Sequence, residues 1–160
     1  MKTTRILLLS LCFWLALNPA SQAQESLNPF IKNSLEQILA KHQGQAFVLS
    51  FWSLDCRYCN EEFALFKSAL ASHKNLVIEL VATDDIDNTS AVKTRLEQAG
   101  LAANSNWIFA ENSNKLRFHI DKNWYGELPR TYFFNKDGSV RAQSGKIDES
   151  DFKQWLAHNL

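Results

Sequence analysis

Two cysteines separated by two residues, Cys56 and Cys59, constrain this chain more than any other feature of its sequence. They follow the apolar run Phe47–Trp52, which only Ser50 interrupts and which is typical of a buried strand. They precede residues 60–66, whose pattern predicts a helix. A Cys-x-x-Cys pair at such a junction can close and reopen a disulfide, with only the first sulfur within reach of a partner. The spacing therefore predicts a thiol–disulfide exchange site.

Two other interpretations of the cysteine pair stay open on the residues alone. One is an inert structural disulfide, although closing so short a loop adds little stability. The other is a zinc or copper(I) site, as in a metal carrier, completed by other ligands. The chain has four histidines for this purpose, none at a typical ligand spacing: His42, His73, His119 and His158.

The composition predicts one compact domain. The chain has 160 residues, about the length of a single domain, and 46% of them are hydrophobic. Aromatic residues make up 12%, with only 5 Gly and 3 Pro, which argues against disorder. The formal net charge is zero, so no nucleic-acid partner is expected.

The first residues have the anatomy of a secretory signal peptide. Lys2 and Arg5 precede a nearly unbroken apolar run over residues 6–17. Small residues then lead to Ala23, after which we expect cleavage. The sequence thus predicts export, and a periplasmic location.

This interpretation divides the chain into a signal peptide over residues 1–23 and a single domain over residues 24–160. An uncleaved membrane anchor is one alternative, although the apolar run is short for a membrane span. A lipoprotein attached at Cys12 is another, but Leu11 precedes it where a small residue is expected. Cleavage leaves the Cys-x-x-Cys pair as the only cysteines, which favours a chemical role for it.

Helix and strand patterns alternate along the chain and predict an α/β sandwich with a mixed sheet. Strands separated by helices pair in parallel, and Asp137-Gly138 predicts a terminal hairpin that adds antiparallel strands. The predicted order is a helix from Asn28-Pro29 to Gly44, strand 47–52, a helix after Cys56, strand 76–82, a loop over 83–89, helix 91–99, a weak strand 107–110, helical turns over 112–120, strands 131–135 and 140–143, and a C-terminal helix over 148–160.

If Cys56 begins the helix, its sulfur faces unpaired backbone N–H groups and the positive end of the helix dipole. Both favour the thiolate, which is the attacking species, and Arg57 adds a positive charge. Asp55 acts in the opposite direction. Cys59, one turn later and more buried, would then resolve a mixed disulfide formed on Cys56.

Several motifs together resemble the thioredoxin superfamily, and more narrowly its exported TlpA/ResA/DsbE-like reductases. The resemblance covers about residues 34–158 and is more specific than Cys-x-x-Cys alone. The matching segments are Phe51-Trp52-x-x-x-Cys56-x-x-Cys59, Glu62-Phe63, Leu128-Pro129-x-Thr131-Tyr132 and Asp137-Gly138.

The resemblance implies a thioredoxin-like three-layer sandwich with a mixed central sheet, a terminal hairpin and a C-terminal helix. It implies that Pro129 is cis and packs against the disulfide, whereas local sequence alone favours an ordinary trans proline at a strand start. It also implies that Glu62 lies near Cys59 and handles its proton. Glu62 also has a purely structural explanation, because the helix dipole stabilises a carboxylate in the first turns of a helix.

The activity implied is reduction of protein disulfides, with cytochrome c maturation as one setting. No cofactor is needed, a membrane electron donor of the thiol–disulfide interchange type supplies electrons, and the domain is expected to be a monomer. Three departures leave the redox direction open between reductase, oxidant and isomerase: the dipeptide Arg57-Tyr58, Asp55 before the first cysteine, and Ser50 where cytoplasmic thioredoxins carry a buried acid.

Residues around the cysteines are the expected substrate contacts, and they are Trp52, Arg57, Tyr58, Leu128 and Pro129. A cis-proline loop beside the cysteines would leave a backbone edge free to pair with an extended substrate. Trp52 also suits packing around the site. Trp124-Tyr125 either lines the same groove or is buried.

Overall fold

The computed structural model describes residues 27–160. The predicted signal peptide over residues 1–23 and Cys12 lie outside this part of the chain. Among the helices of residues 27–160, none has the length and apolar character needed to cross a membrane.

Six strands and five α-helices alternate along the described residues. The strands are β1 (Leu27–Phe30), β2 (Phe47–Trp52), β3 (Ile78–Ala82), β4 (Ser105–Phe109), β5 (Arg130–Phe134) and β6 (Val140–Ser144). The helices are α1 (Ser34–Lys41), α2 (Cys59–Ser72), α3 (Thr89–Ala99), α4 (Ser113–Ile120) and α5 (Glu149–Asn159).

The strands form one mixed sheet in the order β1-β4-β3-β2-β5-β6. The four strands β1, β4, β3 and β2 pair in parallel. The hairpin strands β5 and β6 are antiparallel to their neighbours. This topology confirms the predicted mixed sheet with a terminal hairpin.

The core lies on both faces of the sheet, because successive residues of a strand point to opposite sides. On one face Val48 and Trp52 of β2 pack with residues of α2, α3 and α5. On the other face Leu49 and Phe51 pack with residues of α1 and α4. The result is a helix–sheet–helix sandwich, as the sequence predicted.

Four segments meet at one edge of this sheet. The carboxyl ends of the parallel strands β2, β3 and β4 share that edge, and the antiparallel strand β5 begins there. The segments after Trp52, Ala82 and Phe109 and the segment before Arg130 therefore surround one surface. The Cys-x-x-Cys pair lies on the first of these segments.

The predicted helix start at Asn28-Pro29 is wrong, because Leu27–Phe30 forms the edge strand β1, parallel to β4. An edge strand tolerates proline, since one of its sides needs no backbone donor. Phe30 is 1% exposed and anchors this strand in the core. Helix α1 begins later, at Ser34, and ends before Gly44, whose φ of 74° suits glycine.

The remaining boundaries differ by a few residues. The second predicted strand begins at Ile78 instead of residue 76, and α3 begins at Thr89. The predicted loop between them contains a 3₁₀ turn, Ile86–Asn88, whose first turn is capped by the Asp85 side chain. The strand weakly predicted over residues 107–110 is present as β4, which begins two residues earlier and ends one residue earlier.

Candidate active site

Cys56 and Cys59 are joined by a disulfide at the carboxyl edge of the sheet. Their Sγ atoms are 2.00 Å apart and their Cα atoms 5.4 Å apart. The Cys59 side chain is 1% exposed, whereas Cys56 is only half-buried. One sulfur of the bond is therefore accessible from solvent, and the other is sealed in the core.

Helix α2 begins at Cys59 and contains the predicted helical residues 60–66, so Cys56 lies three residues before the helix and does not begin it. Residues 56–58 form a turn that delivers the chain to the helix. The Cys59 N–H nevertheless donates to Cys56 Sγ over 3.2 Å. A backbone donor at the positive end of α2 thus faces the first sulfur, which is the arrangement that favours a thiolate there.

Glu62 lies one helical turn after Cys59 and is 2% exposed. Its Oε1 accepts a hydrogen bond of 3.1 Å from the Ile147 N–H. Its Oε2 accepts weaker bonds from the hydroxyls of Ser50 and Thr131, at 3.4 and 3.5 Å. Burial raises the pKa of Glu62 to about 7, although these three hydrogen bonds act in the opposite direction.

Ser50 and Thr131 are cross-strand partners on β2 and β5. The Thr131 hydroxyl donates to Ser50 Oγ over 3.1 Å, and both hydroxyls are buried beneath the Glu62 carboxyl group. The serine that replaces a strand acid is therefore in contact with an acid from helix α2. A carboxyl group occupies this region of the core, supplied by a different element.

A groove of about 630 Å³ runs between α2 and residues 146–149 and reaches Glu62. Lys146 and Glu61 also line it, and their side chains form an ion pair of 2.5 Å between its two walls. Glu62 is therefore buried but lies at the wall of a groove that opens to solvent.

The Leu128–Pro129 peptide bond is cis, as the resemblance implied. Pro129 is buried and directly precedes β5, whose first residue Arg130 pairs with Phe51 of β2. Leu128 packs against the same side of the core as Cys56. The Pro129 carbonyl accepts a 2.8 Å bond from Gly145 and is thus occupied within the protein.

The other predicted substrate contacts differ in exposure. Arg57 is exposed and Tyr58 is 52% exposed, so both present surface beside the disulfide. Trp52 is 1% exposed and packs edge-on against Phe63, with ring centroids 4.9 Å apart. The predicted substrate contact at Trp52 is wrong, because its side chain belongs to the core.

Of the Trp124-Tyr125 pair, the first residue is buried, as one of the two alternatives predicted, and the second is exposed. Trp124 is 4% exposed and packs on Phe51, with centroids 4.9 Å apart. Tyr125 is 84% exposed and lies in the loop before Pro129.

Three of the four histidines considered as metal ligands have hydrogen-bond partners other than the cysteines. His42 and His119 each bond a glutamate, and His158 bonds a carbonyl of its own helix. Within residues 27–160, no group of three or more histidine, cysteine, aspartate or glutamate side chains is placed to hold a metal ion.

Sequence reasoning missed the residues that reach the site from other elements. Asp84, after β3, accepts a 3.1 Å hydrogen bond from the N–H of Leu54, in the segment between β2 and Cys56. Ile147 and Thr131 donate hydrogen bonds to Glu62. A buried glutamate on a helix indicates that donors are needed, but the sequence does not identify which residues supply them.

Solved structures with the same architecture define the fold. A secreted Mycobacterium tuberculosis disulfide oxidoreductase homologous to Escherichia coli DsbE superposes with a TM-score of 0.61 at 19% identity, over 74% of this chain and 84% of that one. A thiol:disulfide interchange protein of the thioredoxin family from Chlorobium tepidum superposes with a TM-score of 0.58 at 15% identity, over 76% and 83%. The fold is thioredoxin-like.

Sequence comparison then gives the family. Residues 27–143 match the AhpC/TSA family, and the chain belongs to that family. The thiol-disulfide oxidoreductase ResA of Bacillus thuringiensis (strain Al Hakam) is 28% identical over 101 residues, which cover 63% of this chain and 55% of that protein. ResA of Bacillus anthracis matches to the same extent. The chain thus spans about half the length of the curated relatives it matches.

Proposed function

We propose that this protein is an exported thiol–disulfide oxidoreductase that reduces disulfides in other proteins. The observation that carries the proposal is the unequal exposure of the disulfide, with Cys56 accessible just before α2 and Cys59 buried at its first residue. The similarity to ResA supports the same chemistry. No cofactor takes part in the reaction that we propose.

In the first step, the Cys56 thiolate attacks one sulfur of a substrate disulfide. A Cys56–substrate disulfide forms, and the other substrate sulfur leaves as a thiolate. In the second step, Cys59 attacks Cys56 Sγ and the second substrate sulfur leaves. The substrate gains two electrons and the enzyme ends as the Cys56–Cys59 disulfide.

Glu62 serves the second step in this proposal. Cys59 must lose its proton before it attacks, and a buried thiol has little access to bulk water. Glu62 lies one turn away on the same helix, and its pKa of about 7 matches a group that accepts and returns a proton near neutral pH. The groove beside it provides the exchange with solvent.

Tyr58, Arg57 and Leu128 supply the substrate contacts in this proposal, together with the main chain of the loop that ends at Pro129. The side chains of Tyr58 and Arg57 are exposed beside Cys56, and Leu128 is half-buried. The bond between the Pro129 carbonyl and Gly145 leaves Leu128 as the residue whose backbone pairs with an extended substrate.

The experiment that tests the exchange reaction uses the Cys59→Ser variant. Reduced Cys59→Ser should accumulate a mixed disulfide between Cys56 and a model substrate such as insulin, because the resolving sulfur is missing. Cys56→Ser is the matched control and should trap nothing. Absence of an adduct on Cys59→Ser, or an equal adduct on both variants, would contradict the proposal.

Export over residues 1–23 and the domain over 24–160 form a separate part of the proposal. Signal cleavage after Ala23 gives a mature chain that begins at Gln24, acts as a monomer in the periplasm, and is reduced by a membrane electron donor. Mass spectrometry of the protein from a periplasmic fraction tests this. An intact chain from Met1, or a lipid-modified Cys12, would contradict cleavage at that position.

A further inference from the structure

Two consecutive residues after β3 bind the loop that carries the redox cysteines. The Thr83 N–H and hydroxyl both donate to the Trp52 carbonyl, at 2.8 and 3.2 Å. The Asp84 carboxylate accepts the Leu54 N–H with both oxygens, at 3.1 and 3.3 Å. The backbone just before Cys56 is therefore attached to the end of the neighbouring strand.

The bond from Leu54 to Asp84 fixes the chain two residues before the nucleophile. Leu54 N–H has no strand partner, because β2 ends at Trp52. The Cys56 N–H continues the same turn by donating to the Ser53 carbonyl over 3.1 Å. Movement of Leu54 would therefore displace Cys56 relative to Cys59.

Asp84 is also a half-buried charge close to this turn. Burial raises the pKa of Asp84, opposed by its bonds to backbone N–H groups, and the neighbouring charges are Asp55 and Arg95. Arg95 itself bonds the side chain of Asn60 over 2.9 Å. A neutral amide oxygen can also accept the Leu54 N–H, so the carboxylate adds a negative charge that the presence of the hydrogen bond does not require.

We propose that Asp84 is a positioning residue for the cysteine pair, which holds Cys56 in place through Leu54 and whose charge disfavours the Cys56 thiolate. The inference rests on the proposed exchange function. It assigns two separable effects to one carboxylate: geometry sets how readily the disulfide closes, and charge sets how readily the first thiol ionises.

Two substitutions separate these effects. Asp84→Asn keeps an oxygen for the Leu54 N–H and removes the charge, whereas Asp84→Ala removes both. Asp85→Asn is the matched control, because it removes a neighbouring charge whose acceptor role lies within the 3₁₀ turn, toward Asp87. All three are made in the full-length protein.

The first readout is the pKa of the Cys56 thiol, from the pH dependence of its alkylation rate in the reduced protein. Removing the charge should lower this pKa by about 0.5–1 unit in both Asp84→Asn and Asp84→Ala. Asp85→Asn should lower it by less than half as much. An unchanged pKa in Asp84→Asn would overturn the electrostatic part of the proposal.

The second readout is the equilibrium of the cysteine pair with glutathione, at a pH below the measured thiol pKa, where charge on the thiol no longer contributes. Under this condition the equilibrium constant of Asp84→Asn should equal that of the wild type. Asp84→Ala should form its disulfide about fivefold less readily, because the reduced turn loses its anchor and must be ordered again when the disulfide closes. Equal constants for Asp84→Ala and Asp84→Asn would overturn the positioning part.

These outcomes are distinct from failure of the proposed function. If the wild-type protein reaches no equilibrium with glutathione, and Cys59→Ser traps no substrate, the exchange proposal itself fails. If the wild type exchanges normally and all Asp84 variants behave like it in both readouts, only the role of Asp84 is refuted.

Discussion

Two glutamates in the core of this protein are almost equally buried, but their surroundings shift their pKa values in opposite directions. Glu62 on α2 is 2% exposed, and Glu79 on β3 is 0% exposed. Glu62 lies near the edge of the sheet that carries the Cys-x-x-Cys pair. Glu79 lies near the amino end of β3, away from the cysteines.

The partners of the two carboxyl groups account for the difference. Three strong donors surround Glu79: Lys41 Nζ at 2.9 Å, His42 Nε2 at 2.6 Å and Trp107 Nε1 at 2.7 Å. Burial alone would raise the pKa of Glu79, but bonds from these residues and from Ser105 hold it below its usual value. Glu62 has one backbone N–H and two distant hydroxyls, and its pKa is raised to about 7.

The comparison shows that burial does not by itself decide the state of a core carboxyl group. Full pairing keeps Glu79 ionised and makes it part of the structure, whereas partial pairing leaves Glu62 able to bind or release a proton near neutral pH. The two sites should therefore respond differently to the same substitution, and four measurements test this contrast.

The largest expected effect is on stability, at Glu79. Glu79→Gln should lower the free energy of unfolding by about 3 kcal/mol at pH 7, because a single amide oxygen cannot accept all three of these hydrogen bonds and leaves buried donors unpaired. Urea denaturation of the oxidised protein measures it. Lys41→Met is the control and should cost less than about 1 kcal/mol, since the Lys41 side chain is 55% exposed. Equal losses in both variants would contradict the contrast.

Glu62→Gln should instead stabilise the protein as the pH rises. The folded pKa of Glu62, about 7, lies above its ordinary value of 4.5. The contribution of protonated Glu62 to the free energy of unfolding is therefore fully present below pH 4.5 and is lost as the pH rises through 7. Glutamine stays neutral, and the difference between variant and wild type should grow by about 3 kcal/mol between pH 4.5 and 8. A difference independent of pH would show that Glu62 does not titrate in this range.

The third effect concerns disulfide exchange. Glu62→Gln should slow the resolution of the mixed disulfide by about 100-fold at neutral pH, because glutamine cannot take the Cys59 proton. Stopped-flow kinetics with insulin as substrate separates this step from the attack by Cys56, which should be unchanged. Glu79→Gln, assayed where it remains folded, should resolve at the wild-type rate, and a similar slowing in both would remove the distinction.

The smallest effect is expected at the hydroxyls. Thr131→Val removes a donor to Glu62 that lowers its pKa, so the pKa of Glu62 should rise by about half a unit above the wild-type value. Carbon-13 NMR titration of the Glu62 carboxyl group measures it. An unchanged pKa would mean that the hydroxyl does not donate to the carboxylate.

The parts of the fold that the sequence predicted depend on local patterns. The apolar run Phe47–Trp52 and the Asp137-Gly138 turn each specify an element through neighbouring residues. The prediction for the first element was wrong because Asn28-Pro29 is compatible with a helix start and with an edge strand equally well. Only pairing with β4, about 80 residues later, decides between them.

The part of the site that lies on one helix was predicted from the sequence. Cys59 and Glu62 are three residues apart, so their shared face follows from helical spacing. Their environment does not, because Thr131 reaches Glu62 through cross-strand register and Asp84 reaches Leu54 through the order of strands in the sheet. The turn that separates Cys56 from α2 could not be predicted for a related reason, since it is held by Asp84 from the end of β3.

The unequal exposure of the two sulfurs has a consequence for adduct chemistry. The S–S bond links two identical atoms, but a bulky thiol can approach only Cys56 in line, because the back of Cys59 is closed by the core. Glutathione should therefore add regioselectively, and a trapped adduct should always release Cys59 as the leaving group. Peptide mapping of singly modified protein would then find the label on one cysteine irrespective of the reagent's charge.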